Sequence, residues 1–400
     1  MLEGLRIVEM ATYIAAPAAG GIMADWGAEV IKVEAPGGDP IRQFFAGTRA
    51  EDIGNPVFDL DNRGKRSIMI DIKTEDGAAA MRKLVGEADV FITNVRPSAL
   101  ERAGLDFDTL HKEHPSLIFA SVTGYGLEGP ERDRPGMDMA AFWARSGMAH
   151  LFQRKGYAPL PMRVAVGDHT TALALVSGIL GAVIERQKTG EGRLVEASLL
   201  RTGIYCLGSD MAIQQRLGRV ASTRERNIAP DPMTNIYQTQ DEKWLVLLNR
   251  QGKGGGDWDK LVELLEIPAD KLADEKFVTK RDRMKNNGDT IALLDAGFQS
   301  FTMEEVSKRL DAADIIWSPV KSTYEVVEDA QAHAAGAFTE MPMPDGSMSA
   351  TIASPVNFHG ADNDPKGPSP EPGQHGREIL ASLGYSEEEL DRMQEAGALK

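Results

Sequence analysis

The sequence holds a single cysteine, Cys206, in 400 residues. No disulfide can close within the chain, and a thiolate metal cluster, which needs several such ligands, is excluded. Positive charge is also scarce: 44 lysines and arginines stand against 60 aspartates and glutamates, for a net charge of −16. Nucleic acid and anionic membrane surfaces both demand a positive footprint, so neither is an expected partner. Long hydrophobic runs are missing too. The longest, around Ala172–Ile184, is interrupted by Ser177, Gly178 and Gly181 and reads as too short to span a bilayer. The opening MLEGLRIVEM carries no basic leader followed by an apolar stretch and a cleavage site. The expectation is a cytoplasmic protein without a signal peptide.

What remains is an ordinary globular composition. A hydrophobic share of 42% against 26% charged residues supplies a core, and 400 residues exceed one usual domain. Along the first half, strand-like and helix-like segments alternate. LRIVEM (Leu5–Met10) precedes the small-residue helix APAAGGIMADWG, and EVIKVE (Glu29–Glu34) follows. RSIMIDI, a helix over DGAAAMRKLVGEA, DVFITN and SLIFASVTGYG continue the series. The alternation predicts an α/β fold, a Rossmann-like and mostly parallel sheet with helices on both faces. Ligands on such sheets bind beyond the carboxyl ends of the strands.

A long helix is expected from about Thr170 to Arg186, then a glycine-marked stop, a strand and another helix within TGEGRLVEASLL. The polar, proline-bearing stretch 220–232 reads as a linker. A smaller α+β domain over 233–324 follows, opening with a hairpin turned at QDEK. Residues 1–219 and 325–400 make the large domain, with a second hairpin around Asp345-Gly346 and two terminal helices broken at Gly384.

The first βαβ unit imitates a dinucleotide site, with Glu34 where a ribose acid stands. The turn after LRIVEM is ATYIAAPAAGG, and it lacks G-x-G-x-x-G. Without those glycines a pyrophosphate cannot approach the backbone closely, which removes nicotinamide chemistry from first place. Metal chemistry has little to stand on. His111 and His114 in HKEH lack a third partner, and the other histidines are scattered.

The informative stretch is VAVGDHTTALAL, Val164–Leu175. Asp168 suits a helix N-cap, where a side-chain oxygen accepts a first-turn N–H. The same place suits a nucleophile. A helix N-terminus favours the anion, and Gly167 leaves room for a substrate to approach. A carboxylate can attack a thioester because a thiolate leaves readily, giving a mixed anhydride. The residues alone leave both roles open. The cluster GKGGGDW at Gly252–Trp258 suits an anion nest, a hinged lid or a plain flexible connector.

The segment LRIVEMATYIAAPAAGGIMADWGAEVIKVEAPGGDPIR resembles the opening of the family III CoA-transferases, the formyl-CoA and carnitine-CoA type. The likeness continues through NRGKRSIMIDIKTEDG, DVFITNVRPSALERAGLDFDTL, LIFASVTGYGLEGPERDRPGMD and GDHTTALAL. In wording, YIAAPAAG, PGMDMAAFWARSGM and GDH are most similar to the branch acting on aromatic or branched 2-hydroxy acids and enoyl-CoA thioesters in amino-acid fermentation.

The resemblance implies CoA transfer between an acyl-CoA and a free carboxylic acid. Coenzyme A is then substrate and product, with no tightly bound cofactor and no metal. It implies Asp168 as the nucleophile, Ile14 and Ala15 in the oxyanion-binding turn, and Gly254, Gly255 and Gly256 as a lid; His169 is a supporting candidate. CoA contacts fall on Tyr13, Ala16, Ile70, Lys73, Asn94, Val95 and Arg102. An interlocked homodimer is implied as well. The sequence departs from the pattern at Ala35, where relatives often carry arginine, which puts adenine or phosphate contacts there in doubt. Two alternatives share the fold: an α-methylacyl-CoA racemase and a non-catalytic CoA-binding protein. Racemases carry a histidine before the aspartate of RPGMDM; here it is Met137, which cannot shuttle a proton.

Overall fold

A computed structural model describes residues 1–48, 54–250 and 257–400. The chain divides into two compact units. The first comprises Met1–Phe152, Pro159–Val220 and Gln331–Lys400, and the second Gln153–Ala158 and Ala221–Ala330.

The first unit is built on strands β1 (Arg6–Met10), β2 (Glu29–Glu34), β3 (Arg66–Met69), β4 (Val90–Thr93), β5 (Ile118–Thr123) and β6 (Leu194–Ser198). They lie in the order β3-β2-β1-β4-β5-β6, and all the pairs are parallel. The central strands are apolar on both sides, as a doubly covered sheet requires. Ile7 pairs with Val90 and Val8 with Phe91. The direction of progression reverses between β1 and β4, so the loops leaving these strands part and open a crevice.

On one face lie α1 (Ala15–Asp25) and a long helix, Val166–Thr189. They cover Ile7, Val30, Val90, Ile92, Ile118 and Ala120. Helix α1 is almost wholly alanine, glycine and methionine because it is buried nearly all round. A Cβ on Gly20 would stand 2.0 Å from Glu9 Oε2, and one on Gly21 2.8 Å from the Asp61 carbonyl oxygen. Helix α2 (Pro56–Asn62) runs beside it. The other face takes α3 (Glu75–Gly86), α4 (Pro97–Ala103), α5 (Phe107–Glu113) and the terminal helices Gly376–Ser382 and Glu387–Glu395. After β5 come a π-helical turn, Met139–Ala144, and α6 (Met148–Phe152).

The long helix, α7, corrects two expectations. It starts four residues earlier than Thr170, and its cap position is Ala165, left-handed at φ 73° and without a side-chain cap bond. Asp168 is therefore the third helical residue and not the cap. With 24 residues, α7 is also long enough, and at a mean hydropathy of 1.3 apolar enough, to cross a bilayer. Its apolar residues Ala172, Leu175, Val176, Ile179 and Ala182 instead belong to the core under the sheet. The helix stops at Gly190, left-handed at φ 77°.

Helices α8 (Leu199–Cys206) and α9 (Gly208–Leu217) follow β6, and α9 has no buried residue. The second unit holds the antiparallel strands β7 (Asn235–Gln238), β8 (Trp244–Leu248) and β9 (Ile316–Pro319). Helices Trp258–Leu264, Asn287–Phe298 and Met303–Ala312 close its core, where the Tyr237 ring stacks on Phe298 at 4.7 Å. The hairpin β10 (Phe338–Pro342) and β11 (Met348–Ile352) belongs to the first unit.

Candidate active site

The crevice between β1 and β4 is fixed by one amide. Asn94 Oδ1 accepts the Thr12 N–H at 3.1 Å, and its Nδ2 donates to the Thr12 carbonyl at 2.6 Å. Tyr13 follows with a positive φ of 66°, an uncommon conformation for a residue with a bulky side chain. It is held there by its own N–H, which donates to Asp39 Oδ1 at 3.1 Å. The Tyr13 ring stays exposed. The N–H groups of Thr12 and Tyr13 are thus both engaged and leave the oxyanion candidates. The N–H groups of Ile14, Ala15 and Ala16 open α1 and have no acceptor among the described residues.

Beneath this turn lies a buried ion network. Lys32 Nζ reaches Glu9 Oε1 at 3.3 Å and Asp39 Oδ2 at 2.9 Å, with all three side chains fully buried. Lys65 Nζ donates to Glu9 Oε2 at 2.7 Å and to the Pro17 carbonyl at 2.8 Å. Burial pulls the Lys65 ammonium down to about 8, against Glu9. Burial acts on Lys32 too, but Glu9 and Asp39 outweigh it and hold that ammonium above its usual value. Arg42 clamps Glu34 with two bonds, at 2.8 and 2.6 Å. Arg66 pairs with Glu29 and Glu378. Lys32, Arg42, Lys65 and Arg66 are therefore all committed to structural ion pairs.

The start of α7 faces the same turn: Ala165 packs against the cluster of Ile14, Ile41 and Phe58. Gly167 is not open to a substrate. Its missing Cβ makes room for the Phe142 ring, whose Cγ would stand 2.6 Å from that atom. Asp138 braces the helix start. Its Oδ1 accepts the Met139 N–H at 2.6 Å, and its Oδ2 accepts the Ala165 N–H at 2.8 Å. His169 Nε2 lies 3.1 Å from Oδ1 of the buried Asp61.

Asp168 is half-buried and has no hydrogen-bond partner among the described residues. Burial pushes its carboxyl up to about 7, Asp138 and Asp61 add to the rise, and His169 opposes it. Bonding to Asp61 raises the His169 imidazole above its ordinary value. Burial also raises Asp61, with His169 and Lys65 opposing. The arrangement is a half-buried carboxylate in the first turn of a helix, without a hydrogen-bond donor among the described residues. It can present a nucleophilic oxygen to an acyl carbon.

Of the other residues expected at the site, Asn94 adjoins the Thr12–Ile14 turn through the bonds above, while the Val95 N–H donates to Thr93 Oγ1 at 3.1 Å and its side chain packs against the core on the sheet face opposite α1. Ala16 is fully buried and can offer only backbone. Ile70 is a correction: its side chain is core, and its backbone bridges to Leu399. Lys73 and Arg102 are exposed beyond β3 and β4. Arg102 was open to pairing with Glu101, but that carboxylate binds Arg132, and Arg102 has no ion pair among the described residues. Gly254, Gly255 and Gly256 lie outside the described residues. Asp61 went unread in the sequence, where nothing local marks it: it sits one residue before the NRGKRS segment and reaches His169 only through the fold.

Comparison with known proteins agrees over nearly the whole chain. The profile of CoA-transferase family III matches residues 2–376. The chain is 33% identical to (R)-2-hydroxy-4-methylpentanoate CoA-transferase of Clostridioides difficile, over all of both chains. It is 32% identical to cinnamoyl-CoA:phenyllactate CoA-transferase of Clostridium sporogenes, covering 98% of this chain and 96% of that one. Among solved structures, a CAIB/BAIF family protein from Brucella suis superposes with a TM-score of 0.81 at 31% identity, covering 96% and 99% of the two chains. The protein Rv3272 from Mycobacterium tuberculosis gives 0.80 at 26%, covering 95% and 99%. On sequence and on fold together, the chain belongs to CoA-transferase family III and is an enzyme of CoA transfer.

Proposed function

We propose that the enzyme moves CoA from an acyl-CoA thioester to a free 2-hydroxy acid through covalent intermediates on Asp168. The observation that carries this reading is the state of Asp168: a half-buried carboxylate in the first turn of α7 with no hydrogen-bond partner among the described residues. A carboxylate in the first turn of a helix that is committed to no structural hydrogen bond among the described residues is available for chemistry.

The reaction then runs in four displacements. Asp168 attacks the donor thioester carbonyl, the C–S bond breaks, and a mixed anhydride and CoA thiolate result. The thiolate attacks the aspartyl carbonyl and releases the donor acid, leaving an aspartyl-CoA thioester. The acceptor carboxylate attacks that thioester, giving a second anhydride and thiolate. The thiolate finally attacks the acceptor acyl carbon and frees Asp168. Each step passes through an oxyanion, for which the open N–H groups of Ile14, Ala15 and Ala16 are the donors assigned here. Tyr13, Asn94, Val95, Lys73 and Arg102 flank the path of CoA in this reading.

The choice of a branched or aromatic 2-hydroxy acid rests on the two relatives named above. It is supported by the exposed apolar side chains of Met137, Met139, Val164 and Val166, which border Asp138 and Asp168 in the chain. A racemase needs a second acid–base group, and Asp138 is unsuited to it because both its oxygens hold backbone N–H groups. The same reading includes a homodimer in the cytoplasm. Exposed Leu173, Ile184, Ile204, Tyr205, Ile213 and Leu217 on α7, α8 and α9 are apolar surface that a second copy would cover.

The test is trapping. The enzyme is incubated with acyl-CoA, quenched with hydroxylamine or borohydride, and mapped by peptide mass. Modification is expected at Asp168, and full CoA exchange in Asp168→Ala would overturn the mechanism.

A further inference from the structure

The acceptor in such a reaction is itself a carboxylate, and the site it must enter is acidic. Of the charged groups acting on Asp168, Asp138 on the π-helical turn and Asp61 on α2 are negative. The one positive group among them is His169 on α7 itself. Behind Asp61 stand Lys65 and Glu9, both fully buried and bonded to each other. With Asp168 held as its CoA thioester, a free acid still meets like-charge repulsion from Asp138 and Asp61 unless one cation faces it.

His169 has the geometry for this. Its Nε2 is committed to Asp61 Oδ1, at 3.1 Å. Its Nδ1 has no partner among the described residues, and 43% of the side chain is exposed, whereas Asp61 is only 4% exposed. The second Asp61 oxygen is buried and unpartnered, so the carboxylate makes no other hydrogen bond among the described residues. A carboxylate on one ring nitrogen fixes the ring orientation and favours a proton on both nitrogens.

We infer that Asp61 is a positioning residue, holding His169 as an imidazolium whose open Nδ1–H binds the carboxylate of the free acid substrate beside Asp168. This rests on the reading of Asp168 as nucleophile. A charge-assisted N–H···O⁻ bond at that point offsets the repulsion from Asp138 and Asp61 and orients the incoming oxygen. The thioester, which carries no charge at its acyl carbon, has no need of this contact. The inference therefore separates the two substrates.

The test uses the full-length enzyme with Asp61→Asn and His169→Gln, singly and together. The imidazoles are followed by NMR of ¹³Cε1-labelled histidine, and His169→Gln assigns the signal. Asp61→Asn is expected to lower the His169 midpoint by about one pH unit, while the other histidines stay in place. With (R)-2-hydroxy-4-methylpentanoate as the acid probe, both single variants are expected to raise KM for the acid about tenfold at neutral pH. KM for acyl-CoA should stay within about twofold, and Asp61→Asn should add nothing in the His169→Gln background.

An unmoved His169 midpoint, additive effects, or a parallel rise in both KM values overturns the proposal. If Asp61→Asn fails to fold, the KM split in His169→Gln, a half-exposed position, decides on its own. Full exchange in Asp168→Ala would remove the nucleophile reading and leave the His169 midpoint result standing, so the two failures are distinguishable.

Discussion

The ring of Phe142 occupies the space that a side chain on Gly167 would need, with Cγ 2.6 Å from the ideal Cβ position. Gly167 precedes Asp168, so any repair of that clash moves the proposed nucleophile. Glycine to alanine inside a helix ordinarily stabilises by about 1 kcal/mol. Here the sign reverses, because the ring cannot withdraw from the cluster of Leu199, Leu207 and Met148. Gly167→Ala is expected to lower both the melting temperature and kcat, by about a hundredfold in kcat given the sensitivity of attack geometry to displacements near 1 Å. A variant with wild-type kcat would show that Gly167 does not position the carboxylate.

As the proposed nucleophile Asp168 would act in its ionised form, and burial holds its carboxyl up to about 7. The acid limb of kcat/KM is therefore expected to have its midpoint near 7, falling about tenfold per unit below it. Stability has the opposite sign. An acid whose folded value is raised keeps in the native state a proton that the unfolded chain releases. Its ionisation thus costs stability as pH climbs from about 4 to 7, and the cost is complete above 7. Asp168→Asn, inactive in exchange, is expected to melt higher than wild type at pH 8, with the difference closing by pH 4. Calorimetry across that range checks it.

Lys65 and Lys32 share the two oxygens of Glu9 in a fully buried site. Lys65→Met leaves Glu9 Oε2 without its ammonium, and an uncompensated buried charge costs about 3–5 kcal/mol. Urea unfolding is expected to report that loss. Arg193→Ala, which removes an exposed pair with Glu185, is the control expected to unfold at the wild-type midpoint.

The order of elements was legible because parallel strands buried on both faces read as apolar runs, as in VFIT at Val90–Thr93. The same pattern fixed Asp168 near a helix start, but missed its place within it. Ala165 is a poor cap by residue type, so the eye passes to Asp168. The actual brace is Asp138, 27 residues earlier, accepting the Ala165 N–H. The family resemblance assigns Ile70 to CoA, yet its side chain lies in the core with residues of the C-terminal helices. The burial of Lys32 and Lys65 could not be read from the sequence, which displays charge without burial. Pairings such as Asp61 with His169, 108 residues apart, are set by tertiary packing alone.

Asn94 holds both backbone groups of Thr12, one residue before the strained Tyr13. Asn94→Asp keeps the acceptor for the Thr12 N–H and loses the donor to its carbonyl. Asn94→Ala loses both. A graded response is therefore expected, with KM for acyl-CoA rising in the order wild type, Asp, Ala, and stability falling by about 1 kcal/mol per bond removed. Equal effects from the two variants would mean that the Nδ2 bond alone sets the turn.

Arg102 ends α4 beyond β4, exposed and without an ion pair among the described residues, while Glu101 beside it is taken by Arg132. In a chain with a net charge of −16, a cation left open at the carboxyl edge of the sheet is the proposed contact for the phosphates of CoA. Arg102→Ala is expected to raise KM for acyl-CoA about tenfold at low ionic strength, with kcat unchanged, because the phosphates lie far from the reacting carbon. Salt is expected to raise the wild-type KM toward that of the variant, since screening weakens an exposed charge contact at about 10 Å already in 0.1 M salt. Arg132→Ala, whose charge is already bound by Glu101, is expected to leave KM in place. If both substitutions raise KM alike, the effect is one of net charge, and the specific contact at Arg102 is refuted.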